Sequence, residues 1–187
     1  MPNSTIKGFW AEMSPCEHFV QIYDRQDEFM STLAAFVADG LAPGNSAVVI
    51  ASAPHRSELA ARLTEMGVDV AAARKRDQLL LLDAEETLAR FMVDGWPDRQ
   101  RFDAVITDVI SRATGEDRKI RAFGEMVALM WAKGYCGATV MLEHFWHEMC
   151  KQQGFPLFCA YPKSGFTYNA ADSIAQICEA HSKVLAA

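Results

Sequence analysis

Short apolar runs alternate with segments of helical periodicity along most of the 187-residue chain, and this alternation constrains the fold more than any other feature. His18 to Tyr23 (HFVQIY), Ala47 to Ala51, Leu79 to Leu82, Lys119 to Phe123 and Phe155 to Tyr161 read as strands. Between them, apolar residues return every three or four positions, as on one face of a helix. Phe29, Leu33, Phe36 and Val37 stripe a helix ending near Gly40. Leu59, Leu63 and Met66 stripe another, closed by Gly67. Leu88, Phe91 and Met92 mark a helix that stops before Trp96-Pro97, and Phe102, Val105, Ile106, Val109 and Ile110 mark the next. Helices carrying Met126, Leu129 and Met130, then Leu142, Phe145, Trp146, Met149 and Cys150, follow. Ile174, Ile177, Cys178 and His181 share one face of the last. A strand that is followed by a helix and then by another strand specifies parallel pairing, because the chain must cross back over the sheet. The expected fold class is therefore α/β: three layers, with a mainly parallel sheet of about five or more strands and helices on both faces. QLLLLD lacks polar alternation and reads as a strand buried on both faces.

Composition excludes several functions. Half of the residues are hydrophobic and the formal net charge is −6, which suits a globular domain and argues against nonspecific nucleic-acid or anionic-membrane binding. Arg74-Lys75-Arg76 forms a lone basic cluster and reads as a solvated loop. No apolar run approaches a membrane span, and Met1 to Glu12 has no apolar signal core. None of the five cysteines forms a CxxC pair, as expected for a reduced, cytoplasmic protein. The expected organisation is an N-terminal extension at 1–17 followed by a single domain at 18–187.

Residues 40–63, GLAPGNSAVVIASAPHRSELAARL, place a strand directly before a helix, as phosphate-binding loops do. Such a loop needs glycines, whose backbone N–H groups wrap phosphate, then a Lys and a Ser or Thr for phosphate and Mg²⁺. The junction reads Ala51-Ser52-Ala53-Pro54-His55-Arg56-Ser57, without glycine or lysine, and Pro54 has no N–H. The pattern favours binding or sensing over catalysis.

These segments carry a resemblance. HFVQIY at 18–23, the 40–63 segment, DAEETLARFMVDGWPD at 83–98, RAFGEMVALMWAKG at 121–134, FCAYPKSGF at 158–166 and ICEAHSKVL at 177–185 resemble the MEDS domain, the methanogen/methylotroph, DcmR-type sensory domain. The resemblance implies a RecA/KaiC-like core without a working Walker A loop. It also implies a small-molecule ligand, possibly hydrocarbon-type. Members of the family occur fused to helix-turn-helix or histidine-kinase modules. A stand-alone sensor signalling to a separate regulator or histidine kinase is the expectation here, with no direct nucleic-acid contact, no membrane and a possible homo-oligomer.

Ligands of open α/β sheets collect at the carboxyl ends of the strands. That edge is expected to present Tyr23 and Asp24, Ser52 to Arg56, Asp83, Glu125 and Tyr161. The candidate ligand-binding residues are His18, Tyr23, His55, Arg56, Glu125, Tyr161 and His181. Each has a plainer reading. Glu125 suits the first turn of a helix through the macrodipole, and His55 and Arg56 suit ordinary helix-start chemistry. His18 serves equally to tie the extension to the sheet, and His181 to hydrogen-bond within the core. Glu143-His144, His147-Glu148 and Cys150 invite a metal reading, but lack the HExxH arrangement and are explained by one polar helix face. No catalytic residue, metal or cofactor is expected. Trp10, Trp96, Trp131 and Trp146, with the methionines, suit either core or an adaptable apolar pocket. Two alternatives stay open: a protein-interaction or oligomerisation scaffold, and a residual KaiC-type nucleotide binder.

Overall fold

A computed structural model describes residues 14–42, 44–115, 117–167 and 169–185. Trp10 and most of the N-terminal extension lie outside the described residues. Six parallel strands form one sheet: β1 (His18–Tyr23), β2 (Ser46–Ala51), β3 (Leu79–Asp83), β6 (Ile120–Gly124), β7 (Leu157–Pro162) and β8 (Lys183–Leu185). Their order is β3-β2-β6-β7-β1-β8. A two-stranded antiparallel hairpin, β4 (Met92–Val93) with β5 (Trp96–Pro97), lies outside that sheet. Central β2 is buried at all six positions, SAVVIA, as a strand covered on both faces must be.

The helices divide between the faces. α1 (Gln26–Leu41), α2 (Ala53–Glu65) and α3 (Val70–Lys75) cover one face, where Phe29, Leu33, Phe36, Leu59 and Leu63 pack on Phe19, Val49, Phe123 and Phe158. α4 (Ala84–Ala89), α5 (Arg99–Thr114), α6 (Met126–Ala132), α7 (Cys136–Gln153) and α8 (Ala170–Glu179) cover the other. There Phe102, Ile106, Leu142 and Trp146 pack on Val20, Val48, Ala122 and Leu157. Local chemistry sets the helix ends. Asp98 caps α5 by accepting from the Arg101 N–H at 2.9 Å. Gly154, at φ +71°, ends α7 in the left-handed conformation that glycine adopts without strain.

Several expectations need correction. α4 stops at Ala89, so Phe91 and Met92 are not on it, and Met92 enters the β4–β5 hairpin. The Asp94-Gly95 turn, with both φ positive, explains the difference: Asp-Gly at two left-handed positions makes a tight hairpin. β3 is an edge strand, half-buried from Leu81 to Asp83 rather than buried throughout. His181 lies two residues beyond α8, although its Nδ1 still reaches the Ile177 carbonyl at 2.7 Å, the spacing of one more helical turn. β8 is too short, at three residues, to show as an apolar run. Trp131 and Trp146 are buried, whereas Trp96 is 51% exposed.

Helices following adjacent strands leave on opposite faces at three places: β3/β2, β2/β6 and β7/β1. Crevices open at such switch points, and they direct attention to the carboxyl ends of these strands.

Trp146 anchors the larger core. It is 1% exposed, meets Phe102 edge-on at 5.2 Å and lies 3.7 Å from where a side chain at Gly124 would begin. Trp146→Ala is expected to lower stability by about 3–5 kcal/mol, read as a fall in the urea midpoint at constant slope.

Candidate functional site

The parallel ladder between β2 and β6 ends in a side-chain network. The Glu125 N–H donates to the Ile50 carbonyl at 2.9 Å, extending the ladder by one step. The Glu125 carboxylate then takes over: Oε2 accepts from the Ser52 N–H at 2.7 Å and Oε1 from the Ser52 hydroxyl at 3.3 Å. His55 Nδ1 stands 2.9 Å from the same Oε1. Ser52 is the lone residue between β2 and α2, so the carboxylate satisfies an N–H that a helix start leaves unpaired. The hydrogen bond to Glu125 raises the His55 pKa against the opposing effect of burial. The His55 ring meets Phe29 edge-on at 5.3 Å, and Phe29 stacks on Tyr23 at 4.6 Å. Burial, with the nearby charge of Glu125, pushes the Tyr23 phenol up to about 12.

The neighbouring crevices are also closed by polar pairs. Arg56 Nη2 lies 2.6 Å from Asp83 Oδ2 across β2/β3, while Asp83 Oδ1 caps α4 through the N–H groups of Glu85 and Glu86. Those caps and Arg56 hold the Asp83 carboxyl below its usual range. Lys163 and Asp24 meet at 3.1 Å across β7/β1.

A second polar group lies inside the protein, between the sheet and helices α7 and α8. Strand alternation turns Leu157, Cys159 and Tyr161 of β7, and His18, Val20 and Ile22 of β1, to the same face. Glu143 of α7 descends onto them with no exposed surface. Its Oε1 accepts a short hydrogen bond from the Tyr161 hydroxyl. Its Oε2 lies 3.3 Å from His18 Nε2, 3.4 Å from His181 Nε2 and 3.6 Å from Cys159 Sγ. His18 Nε2 is also 3.3 Å from Cys159 Sγ. Burial drives the His18 pKa down to about 4, so this ring is neutral. His181 and His18 hold Glu143 well below the usual carboxyl range despite its burial, while proximity to Glu143 raises His181. Burial pushes the Cys159 thiol and the Tyr161 phenol well above their ordinary values.

The candidate residues thus fall into two groups. Tyr23, His55 and Glu125 meet at the carboxyl edge, and Arg56 stands beside them on Asp83. Tyr161 does not join the edge; it points inward to Glu143, alongside His18 and His181. The helix face read as a possible metal set is dispersed: His144 is exposed, and the Cys150 thiol turns to the Cys16 carbonyl at 3.6 Å. Cys159 is the member that residue patterns missed, and Glu143, read from the sequence as part of a polar helix face, is instead fully buried. Period-two spacing from Tyr161 singles out Cys159 only once β7 is known to pair with β1.

A third feature is a cleft of about 490 Å³ beyond the end of β7, walled by Trp131, Cys136, Pro162, Phe166 and Ser173. The Tyr161 ring stands behind it, 6.4 Å from Trp131 and 5.9 Å from Phe166.

The parallel sheet with a polar carboxyl edge places the chain among three-layer α/β domains. It belongs to the MEDS family, the MEthanogen/methylotroph, DcmR Sensory domain, which it matches over residues 17–182. That span contains both polar groups and the cleft. No curated protein matches the chain. A solved structure of a protein from Pyrococcus horikoshii OT3 is similar in fold, with a TM-score of 0.63 and 11% identity, covering 96% of this chain and 86% of that one. Among the described residues, no helix is long and apolar enough to cross a membrane.

The His55–Glu125 pair has a defined pH dependence. The folded pKa of His55 lies above its ordinary 6.5, so the pair's contribution is complete below that value and is lost as pH rises through the raised folded value. Glu125→Gln is expected to cost about 1–2 kcal/mol near pH 6 and clearly less near pH 8.5, measured by urea unfolding. The His55 ring resonances of the variant should titrate at lower pH than in the parent.

Proposed function

We propose that this sensory domain binds a small apolar, hydrocarbon-type molecule without catalysis, and reports its presence to a separate regulator or histidine kinase. The observation that carries this reading is the cleft of about 490 Å³ at the carboxyl edge, which has aromatic walls in Trp131 and Phe166. Its size suits a small ligand, and aromatic walls in Trp131 and Phe166 suit an apolar one, with the hydroxyl residues Ser164, Thr167 and Ser173 also on the lining. The adjoining crevices are occupied by their own ion pairs, which favours the cleft over the Glu125 edge as the place of binding. A non-catalytic role is supported by the β2–α2 junction, where Ser52 alone separates strand from helix and leaves no loop to wrap a phosphate.

Signalling would pass through the cleft's far wall. Ser173 belongs to α8, of which only Ile177 is buried, so little apolar surface resists a small shift of that helix. α8 leads to Ser182, which is bonded to His18 through both its backbone and its hydroxyl. A partner surface adjoins the cleft: Tyr135 is 50% exposed, next to cleft residue Cys136, and Trp96 is 51% exposed against Gly137. Exposed aromatic residues of this kind are typical anchors in protein interfaces.

Calorimetric titration with dichloromethane, methanol and toluene tests the reading. At least one is expected to bind the parent protein, and Trp131→Ala and Phe166→Ala to weaken it about tenfold or more, ~1.4 kcal/mol. Glu125→Gln should leave that affinity within about twofold, under ~0.5 kcal/mol. Equal binding to the parent and both cleft variants would place the ligand elsewhere.

A further inference from the structure

We propose that His18, Glu143, Cys159 and His181 form a closed tetrahedral site for a borderline divalent metal ion, zinc foremost. The site is separate from the apolar cleft and does not rest on the reading given to it. The four donor atoms all lie within 4.8 Å of one another, and all four residues are buried.

Distance is the first argument. A tetrahedral zinc ion bonds N and O at about 2.0–2.1 Å and S at about 2.3 Å, so its donors stand roughly 3.3–3.6 Å apart. The separations here are 3.3 Å for His18 Nε2 to Glu143 Oε2, 3.4 Å for His181 Nε2 to Glu143 Oε2, 3.3 Å for His18 Nε2 to Cys159 Sγ and 3.6 Å for Cys159 Sγ to Glu143 Oε2. Four of the six donor pairs therefore already have the spacing that an ion imposes, and the other two, from His181 to His18 and to Cys159, lie within 4.8 Å.

Donor chemistry is the second. Two imidazoles, one thiolate and one carboxylate form a set that suits a borderline ion and not Mg²⁺ or Ca²⁺, which take oxygen. Four protein donors leave no open position, which is the pattern of a structural site.

The surrounding contacts are the third. His181 Nδ1 is committed to the Ile177 carbonyl at 2.7 Å, which leaves Nε2 as the free donor. That Nε2 is buried and has no well-aligned hydrogen bond among the described residues, although it is aimed at Glu143. His18 Nδ1 is likewise buried and has no hydrogen-bond partner among the described residues. The Tyr161 hydroxyl holds Oε1 of Glu143 and turns Oε2 toward the other three donors. Tyr161 is a positioning residue in this site.

The ligands come from β1, α7, β7 and the turn after α8. An ion held there would clasp the C-terminal segment onto the central strands.

The test uses the full chain, stripped with EDTA under reducing conditions and titrated with Co²⁺, whose tetrahedral thiolate complexes absorb in the visible and near ultraviolet. One equivalent is expected to bind with both absorptions, and Zn²⁺ to displace it. Cys159→Ser should remove the thiolate-to-cobalt band, while Cys136→Ser and Cys150→Ser keep it. Tyr161→Phe should weaken binding about 10–100-fold. Failure of the folded parent to give a tetrahedral spectrum would overturn the proposal, as would a band that survives Cys159→Ser or vanishes with Cys136→Ser. Where Cys159→Ser does not fold, X-ray absorption of the zinc-loaded parent decides. One sulfur, two imidazole nitrogens and one oxygen support the site, and any other shell refutes it.

Discussion

A carboxylate without access to water must have its charge answered by neighbouring groups, because desolvating it alone costs several kcal/mol. Glu143 has no exposed side-chain surface, yet it sits in the middle of α7, the longest helix among the described residues. Its neighbours are drawn from elements far apart in the chain: His18 at the start of β1, Cys159 and Tyr161 on β7, and His181 beyond α8. Satisfying this one side chain therefore dictates how α7 seats on the sheet and where the C-terminal turn must close. The register of β1 against β7 serves the same end, since a slip of β1 by one residue would turn His18 to the opposite face, away from Tyr161 and Glu143.

The sheet keeps two kinds of polar chemistry apart. At its carboxyl edge, His55 and Ser52 are partly exposed around the buried Glu125, and their network continues beyond the last rung of the β2–β6 ladder. Beneath the other layer of helices, Glu143 is enclosed. Both carboxylates favour the protonated form of a neighbouring histidine, and burial opposes them to different degrees. His55 keeps some contact with water and gains a charged acceptor, so it holds its proton more tightly. His18 is surrounded by protein and loses its proton to burial even though an acid is beside it.

Most of the fold was legible in the sequence because parallel strands buried on both faces must be continuous apolar runs, as in SAVVIA and LFCAYP. The elements that escaped were those whose apolar pattern is short or ambiguous. Phe91 and Met92 continue a helical spacing that the Asp94-Gly95 turn interrupts, and Lys183–Leu185 offers three residues with one half-buried. The carboxyl edge was legible because topology alone places Tyr23, His55, Arg56 and Glu125 there. The inner group was legible only in part. His18, Tyr161 and His181 stand out by residue type, but Glu143 reads as part of a polar helix face with His144, His147 and Glu148. Cys159 looked like one more apolar residue of β7. Sequence spacing cannot show that positions 18, 143, 159 and 181 converge, because the convergence depends on β7 lying between β6 and β1.

Tyr161 links the walls of the cleft to the buried group. Its ring lies behind Trp131 and Phe166, and its hydroxyl is bound to Glu143. A ring so placed cannot move in response to a molecule in the cleft without disturbing that hydrogen bond, and a buried carboxylate tolerates such a loss poorly. The tightness of the Glu143 group therefore sets how much of any displacement at the cleft is absorbed locally. What is not absorbed must pass to α8, the one wall of the cleft whose burial rests mainly on a single residue, Ile177. The same helix ends beside His181, so the rigid inner group and the loosely held wall are two ends of one short segment. Under the proposed reading, a firm anchor at 181–182 would turn a small push near Ser173 into a tilt of α8 about that anchor, rather than a loss of the segment from the sheet.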